Sequence, residues 1–322
     1  MKREDYIVAK RKMVITKDLN QDLIDQIKQV VPDWDIIAGK DKEIWGPHVN
    51  EAEVTLGYKL ELEDFSKLKW TQSTSAGINH FPTEQFKSNG ILLTSANGVH
   101  AYPISETIFA YMLGLTRKIH TYVKNQQAKV WHHSNMKLEM HEKTLGIIGV
   151  GAIGKETAKI AKAFGMKVLG VRHSGEPVEN VDEMVTPDRL DDLLPKCDYV
   201  VVTLPLTDET YQLFTARQFK LMKSSAFFIN IGRGKLVKEE DLIAALQEGE
   251  IAGAGLDVFE KEPLGEDHPL WEMDNVIVTP HTAGSTEYYD KRVVENIFIP
   301  NLKAYLEGQK PYINLVDYSK GY

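Results

Sequence analysis

Short runs of apolar and β-branched residues alternate, almost from the start of the chain, with stretches whose apolar residues recur every three or four positions. Met13-Val14-Ile15-Thr16, Asp35-Ile36-Ile37-Ala38, Val54-Thr55-Leu56, Lys69-Trp70-Thr71-Gln72-Ser73 and Ile91-Leu92-Leu93-Thr94 read as strands. Between the first two, Leu19, Leu23, Ile27 and Val30 put one apolar stripe on a helix over residues 18–30. This alternation predicts parallel βα units and a small α/β unit up to about residue 98.

A helix opens near Pro103, whose missing N–H is not needed in a first turn, with Ile104, Ile108, Tyr111, Met112 and Leu115 as its apolar stripe. The second βα series begins at Thr144. Leu145-Gly146-Ile147-Ile148 and Lys167-Val168-Leu169-Gly170-Val171 flank a helix from about 153 to 164. Tyr199 to Leu204, Phe227 to Asn230, Ile251 to Leu256 and Asn275 to Val278 follow. These six near-continuous apolar runs suit strands covered on both faces, and helices between them predict a doubly wound sheet. The last helical pattern, 287–306, precedes Gly308 and contains Pro300, which should kink or split it. Tyr312-Ile313-Asn314-Leu315-Val316 is placed to return to the first unit. The expected division is a discontinuous domain of residues 1–98 and 287–322, with a domain over 99–286 inserted.

At 322 residues, two domains are the natural expectation. A formal charge of -8 with both signs interspersed argues against the basic stripe of a nucleic-acid binder, so a small ligand is the better partner. No run of 18 apolar residues predicts a membrane span. The start, Met1-Lys2-Arg3-Glu4-Asp5, lacks the apolar core of a secretory signal, and the single Cys197 cannot form an internal disulfide. A cytoplasmic protein is expected.

Gly149-Val150-Gly151-Ala152-Ile153-Gly154 is a GxGxxG pattern. Alone it is a weak signal, but here it follows an apolar strand and opens a helix, the setting of a dinucleotide-binding fingerprint. Gly149 permits a tight turn, Gly151 lets backbone approach a pyrophosphate, and Gly154 allows close helix–strand packing. About 20 residues on, an NAD site would usually carry Asp or Glu for the adenine ribose. This strand runs on into Arg172-His173-Ser174 instead. A guanidinium can pair a 2′-phosphate, with His173 and Ser174 adding donors, so NADP(H) is expected over NAD(H). NAD(H) stays open, because Arg172 could instead stack on adenine or face solvent.

Three further segments sit at strand ends, where open α/β sheets bind ligands: Asn230 to Gly234, Leu256 to Pro263 and Thr279 to Ser285. Arg233 suits the grip on a substrate carboxylate. His281 suits proton donation to a carbonyl oxygen, and Glu262 can favour the imidazolium and orient the ring. Each has a bland alternative as a surface ion pair, a loop-packing histidine or a solvated acid. Their combination after a nucleotide loop points to hydride transfer at C2 of a small 2-keto or 2-hydroxy acid. His132-His133 lacks convincing ligand spacing, and no metal site is expected.

Taken together, Ser75-Ala76-Gly77-Ile78-Asn79-His80, Gly149 to Gly154, Asn230 to Gly234, Gly255 to Pro263 and Thr279 to Gly284 resemble the D-isomer-specific 2-hydroxyacid dehydrogenase family, from about Thr71 to the end of the chain. The resemblance implies two Rossmann-like or flavodoxin-like α/β domains, each a doubly wound parallel sheet, with a cleft between them. It implies that Arg233, Glu262 and His281 are the catalytic trio, and that N–H groups at Ala76 and Gly77 join Arg233 in binding the substrate carboxylate. Ala152, Ile153, Arg172, Thr203, Leu204, Pro205, Ile231, Gly232, Asp257 and Ala283 match positions that line the cofactor site. Asp257 could instead brace the loop carrying Glu262.

Ala101-Tyr102-Pro103-Ile104-Ser105-Glu106 and Arg172-His173-Ser174 look similar to members that reduce glyoxylate and hydroxypyruvate with NADPH. The family implies homodimers, often through the helix near 104–117. Trp45, in Ile44-Trp45-Gly46, is either a limit on substrate size or core. Two other readings remain. The same fold resembles C-terminal-binding corepressors, which sense dinucleotides and recruit partners, and it also serves formate and phosphite oxidation. Glu262 argues against formate, because formate enzymes replace that residue.

Overall fold

A computed structural model describes residues 10–58, 64–78, 80–133 and 137–318. The charged start, Met1 to Asp5, and Asn79 of the Ser75–His80 segment lie outside the described residues. The chain forms two compact units, residues 1–99 with 286–322 and residues 100–285.

In the first unit the elements run β1 (Lys12–Ile15), α1 (Gln21–Val30), β2 (Asp35–Ala38), α2 (Lys42–Trp45), β3 (Val54–Gly57), β4 (Trp70–Ser73), α3 (Thr83–Ser88) and β5 (Leu92–Thr94). The five strands are parallel in the order β2-β1-β3-β4-β5, the flavodoxin arrangement. Asn20 caps α1, its side chain accepting from the Leu23 N–H at 3.0 Å, which fixes where the amphipathic stripe of Leu23 and Ile27 begins. The sheet also holds a buried polar seam. The Thr55 and Thr71 hydroxyls meet at 3.0 Å, Trp70 Nε1 donates to Thr94 Oγ1 at 2.9 Å, and Thr94 donates to Gln72 Oε1 at 2.6 Å. Every member has a partner, as burial demands. Trp45 is core, packed with Val14, Val49 and Phe86, so nothing there supports its reading as a limit on substrate size.

The second unit contains α4 (Ala101–Thr116), α5 (Ile119–Gln127), β6 (Thr144–Ile148), α6 (Ala152–Ala163), β7 (Lys167–Val171), β8 (Glu183–Val185), α7 (Leu190–Leu193), β9 (Tyr199–Val202), α8 (Ala216–Leu221), β10 (Phe227–Asn230), α9 (Glu239–Gln247), β11 (Gly253–Leu256) and β12 (Val276–Val278). Its seven-stranded sheet has the order β12-β11-β10-β9-β6-β7-β8, all parallel. Strand order reverses beside β6, the switch point at which such sheets bind ligands. Six strands were expected in this series, and β8 is the addition. It is a three-residue edge strand, Glu183-Met184-Val185, with too few apolar residues to stand out.

The chain then returns to the first unit through α10 (Tyr289–Val293), a π-helical turn over Val294–Phe298 and α11 (Ile299–Leu306). Pro300 splits the expected helix in this way: it has no N–H for an α-helical bond, and the wider turn before it absorbs the mismatch. The end closes with Gln309 N–H donating to Ala304 O at 2.9 Å and Gly308 N–H to Tyr305 O at 3.1 Å. Residues 312–316 pair with β5 only through an antiparallel bridge, Thr94 to Leu315. Among the described residues no helix is long and apolar enough to cross a membrane.

Asn301, fully buried, ties this return down: its Nδ2 donates to Ile313 O at 2.9 Å and its Oδ1 accepts from Tyr312 N at 3.0 Å and Ile313 N at 2.9 Å. Removing it strands three backbone groups. Asn301→Ala should therefore cost about 2 kcal/mol in urea unfolding followed by tryptophan fluorescence, and a loss under ~0.5 kcal/mol would mean water replaces the side chain freely.

Candidate active site

The glycine loop spans the end of β6 and the start of α6. Gly149 has φ +110°, a left-handed value that a side chain disfavours, and it turns the chain back so that its N–H donates to Val171 O at 3.0 Å. Gly154 permits close approach: a Cβ there would lie 2.7 Å from Gly149 O and 3.1 Å from Ile147 Cγ2. At Gly151 a Cβ would meet nothing within 4 Å, so the backbone faces open space where α6 begins without a side-chain cap. Uncapped first-turn N–H groups of a twelve-residue helix beside an open cradle fit a pyrophosphate. Thr203 fixes the neighbouring strand end, its hydroxyl donating to Gly149 O at 2.5 Å and its N–H to Ile148 O at 2.9 Å. Leu204 is half-buried against this turn and Pro205 is exposed after it.

Arg172 leaves β7 at the other side of the loop, its N–H bonded to Val185 O at 3.0 Å and its carbonyl accepting from Gly175 N at 3.0 Å. A tight turn thus presents Arg172, His173 and Ser174, the latter two exposed. Among the described residues the Arg172 guanidinium has no hydrogen bond or ion pair. The donor set fits an anionic group of the cofactor.

After β10, Asn230 shapes the next loop from inside. Its Oδ1 accepts from Gly232 N at 3.1 Å and its Nδ2 donates to Arg233 O at 3.1 Å. Ile231 and Gly232 are buried while Arg233 is exposed, with Nη1 donating to Gly232 O at 2.7 Å. Four other guanidinium N–H groups remain for a ligand.

His281 and Glu262 meet directly, with Nδ1 2.7 Å from Oε2. A carboxylate only accepts, so Nδ1 donates and Nε2 is left without a partner among the described residues. The second Glu262 oxygen accepts from Phe259 N at 3.0 Å, which fixes the carboxylate in its own turn. Burial pushes the Glu262 carboxyl up. The hydrogen bond from His281, the Phe259 N–H and the charges of His281 and Arg233 outweigh it, leaving the carboxyl below its ordinary value.

Asp257, 2% exposed, holds the loop that carries His281. Its carboxylate accepts from Thr279 Oγ1 at 2.5 Å, Thr282 N at 2.9 Å and Ala283 N at 3.0 Å, and its carbonyl accepts from His281 N at 2.9 Å. The expectation that it might brace the Glu262 loop is corrected: every donor to this carboxylate comes from residues 279–283. The structure thus brings Arg233, Asp257, Glu262 and His281 to the strand ends of the second unit. Ala76 and Gly77 belong to the first, exposed after β4, and their N–H groups have no partner among the described residues.

Sequence reading passed over Tyr111, whose hydroxyl bonds Thr279, and the N–H of Phe259. Tyr111 was hidden in an apolar stripe, and a backbone donor leaves no mark in composition.

The model of the D-isomer specific 2-hydroxyacid dehydrogenase NAD-binding domain matches residues 109–283. Glyoxylate/hydroxypyruvate reductase B of Escherichia coli K12 (DH10B) is 42% identical over 255 residues, 77% of this chain and 78% of that protein. Among solved structures, a D-isomer specific 2-hydroxyacid dehydrogenase family protein from Aeromonas salmonicida aligns with a TM-score of 0.81 at 32% identity, covering 96% of this chain and all of that one. A family member from Xanthobacter autotrophicus Py2, solved with NADPH and MES, gives 0.78 at 29% identity, covering 98% and 100%.

Because the folded Glu262 carboxyl is depressed, its contribution to stability is complete above the unfolded value and is lost as pH falls through the lower folded one. Carbon-13 NMR, assigned against Glu262→Gln, should place its midpoint below the ordinary 4.5. A midpoint at or above that value would mean the pair with His281 does not persist in solution.

Proposed function

The chain belongs to the D-isomer-specific 2-hydroxyacid dehydrogenases, nicotinamide-dependent oxidoreductases, and from that premise we propose that it reduces glyoxylate and hydroxypyruvate with NADPH. The 2.7 Å pair of His281 Nδ1 and Glu262 Oε2 carries the reaction class. The identity to the Escherichia coli reductase supports the substrates, and Arg172 in place of an acid supports the phosphorylated cofactor.

When bound, the nicotinamide supplies a hydride to the carbonyl carbon. Arg233, with donors to spare, grips the substrate carboxylate and polarises the adjacent ketone. His281, doubly protonated, gives its Nε2 proton to the carbonyl oxygen as the hydride arrives. Its Nδ1–H stays hydrogen-bonded to Glu262, which orients the ring. Keto acid, reduced cofactor and one proton become hydroxy acid and oxidised cofactor, and the reverse direction uses neutral His281 as base. Gly149, Gly151, Ala152, Ile153 and Gly154 would hold the pyrophosphate. Arg172, His173 and Ser174 would hold the ribose phosphate, and Thr203, Leu204, Pro205, Ile231, Gly232, Asp257 and Ala283 the remainder of the dinucleotide site.

A homodimer belongs to the same reading. Ile119, Val123, Val130, Trp131 and Leu138 expose apolar side chains, Trp131 to 94%, and a second copy covering them would remove that apolar surface from water.

Nicotinamide absorbance with glyoxylate, hydroxypyruvate and pyruvate, each against NADPH and NADH, tests the proposal. Oxidation of NADPH on the first two is expected. Turnover on formate or phosphite alone, or on nothing while cofactor binds, would replace it with the alternative oxidations or the partner-recruiting module. His281→Ala should lower turnover by about 10²–10⁴-fold with NADPH binding intact; near-normal turnover would place the proton donor elsewhere. Arg172→Asp should swing preference toward NADH, and an unchanged ratio of kcat/KM for the two cofactors would remove Arg172 from the phosphate site.

A further inference from the structure

The hydroxyls of Tyr111 and Thr279 take no part in the chemistry above, yet they lead to the carboxylate that holds the His281 loop. Tyr111 is buried on α4, its ring seated on β11 where Gly255 has no side chain: a Cβ there would fall 2.5 Å from Tyr111 Cγ. The Tyr111 hydroxyl meets that of Thr279, and Thr279 Oγ1 lies 2.5 Å from Asp257 Oδ1. The groups themselves set the direction of these bonds. A carboxylate only accepts, so the single hydroxyl hydrogen of Thr279 goes to Asp257, and Tyr111 must be the donor to Thr279. Burial pushes the Tyr111 phenol up, and the Asp257 charge adds to this, so the phenol stays a donor at every working pH.

At the far end, His281 has φ +54°. That backbone region is disfavoured for a residue with a Cβ, and it persists only where the surroundings over-determine it. Here the surroundings are the Asp257 carbonyl on the His281 N–H and the Asp257 carboxylate on the next two N–H groups. Asp257 can hold that loop only if its own carboxylate is held.

We propose that Tyr111 and Thr279 are positioning residues for His281, acting through Asp257 as a line of hydrogen bonds from α4 to the strained loop. The inference rests on His281 being the proton donor and names what aims it. A small shift of a reacting group can cost about 10²-fold in rate, whereas neither Tyr111 nor Thr279 is among the groups assigned to substrate or cofactor.

The test is steady-state reduction of glyoxylate and hydroxypyruvate by NADPH with the full-length protein. Tyr111→Phe and Thr279→Val should each lower kcat about tenfold, with KM for the keto acid and Kd for NADPH changed less than about twofold. Thr279→Ser, which keeps the hydroxyl, should restore kcat. Wild-type kcat in Tyr111→Phe and Thr279→Val, or a Thr279→Ser as slow as the valine variant, would overturn the proposal. So would losses in kcat matched by equal losses in NADPH affinity. If Thr279→Val fails to fold, Tyr111→Phe and Thr279→Ser decide between the same outcomes. His281→Ala separates the two readings. Near-normal turnover there removes the donor and this inference together; an inactive His281→Ala beside a normal Tyr111→Phe removes the inference alone.

Discussion

A carboxylate taken out of water must be given donors, and the way Asp257 is supplied with them organises the end of the second sheet. Three donors converge on it from residues 279–283, while its own N–H donates to Asn230 O at 3.1 Å. Asp257 therefore ties the β10 loop, which presents Arg233, to the β12 loop, which presents His281. An unpaired buried carboxylate would be far more costly than the order these bonds impose. Burial of one acid thus obliges two functional loops to keep a fixed relation. The left-handed conformation of His281, worth roughly 1–2 kcal/mol of strain for a residue with a Cβ, is held against relaxation by the same group.

Much of this frame was legible in the sequence because the second unit is buried on both sheet faces. Strands such as Tyr199–Val202 and Phe227–Asn230 have no solvent side and so announce themselves as unbroken apolar runs. The doubly wound class followed from their alternation with helices. β8 escaped because an edge strand needs neither length nor apolarity, and the break in the last helix was readable at Pro300 but the π-helical turn that makes it was not. Within the site, residue types with reactive side chains were legible, whereas their bracing was not. Asp257 read either as lining the cofactor site or as bracing the Glu262 loop, because its partners depend on which loop folds over it, and spacing along the chain does not record that. Tyr111 illustrates the same blindness: its ring fits an apolar stripe and its hydroxyl is invisible to periodicity.

The two ends of the dinucleotide site use opposite physical means. At the pyrophosphate end the protein removes atoms: glycine at 154 lets α6 close on the loop, and glycine at 151 leaves room over uncapped N–H groups. At the end of β7, which the proposed function assigns to the ribose phosphate, it adds charge through Arg172 on a turn set by Gly175. Backbone recognition of this kind is indifferent to what lies beyond the diphosphate, so in the proposed function cofactor choice falls to side chains at the end of β7. A single guanidinium where a carboxylate would repel a phosphate changes the sign of the local field without altering the fold.

Glu262 settles how the His281 ring is held. One of its oxygens is spent on the Phe259 N–H of its own turn, which leaves the other aimed at His281. A carboxylate free to rotate would accept the Nδ1–H in several orientations, and Nε2 would point in as many directions. Anchoring it to backbone lets its one remaining oxygen fix the heading of the His281 ring. The depression of the Glu262 carboxyl, despite burial acting the other way, follows from that arrangement. The cations and N–H groups that lower it are the groups that keep it in place, so its charge and its geometry cannot be lost separately.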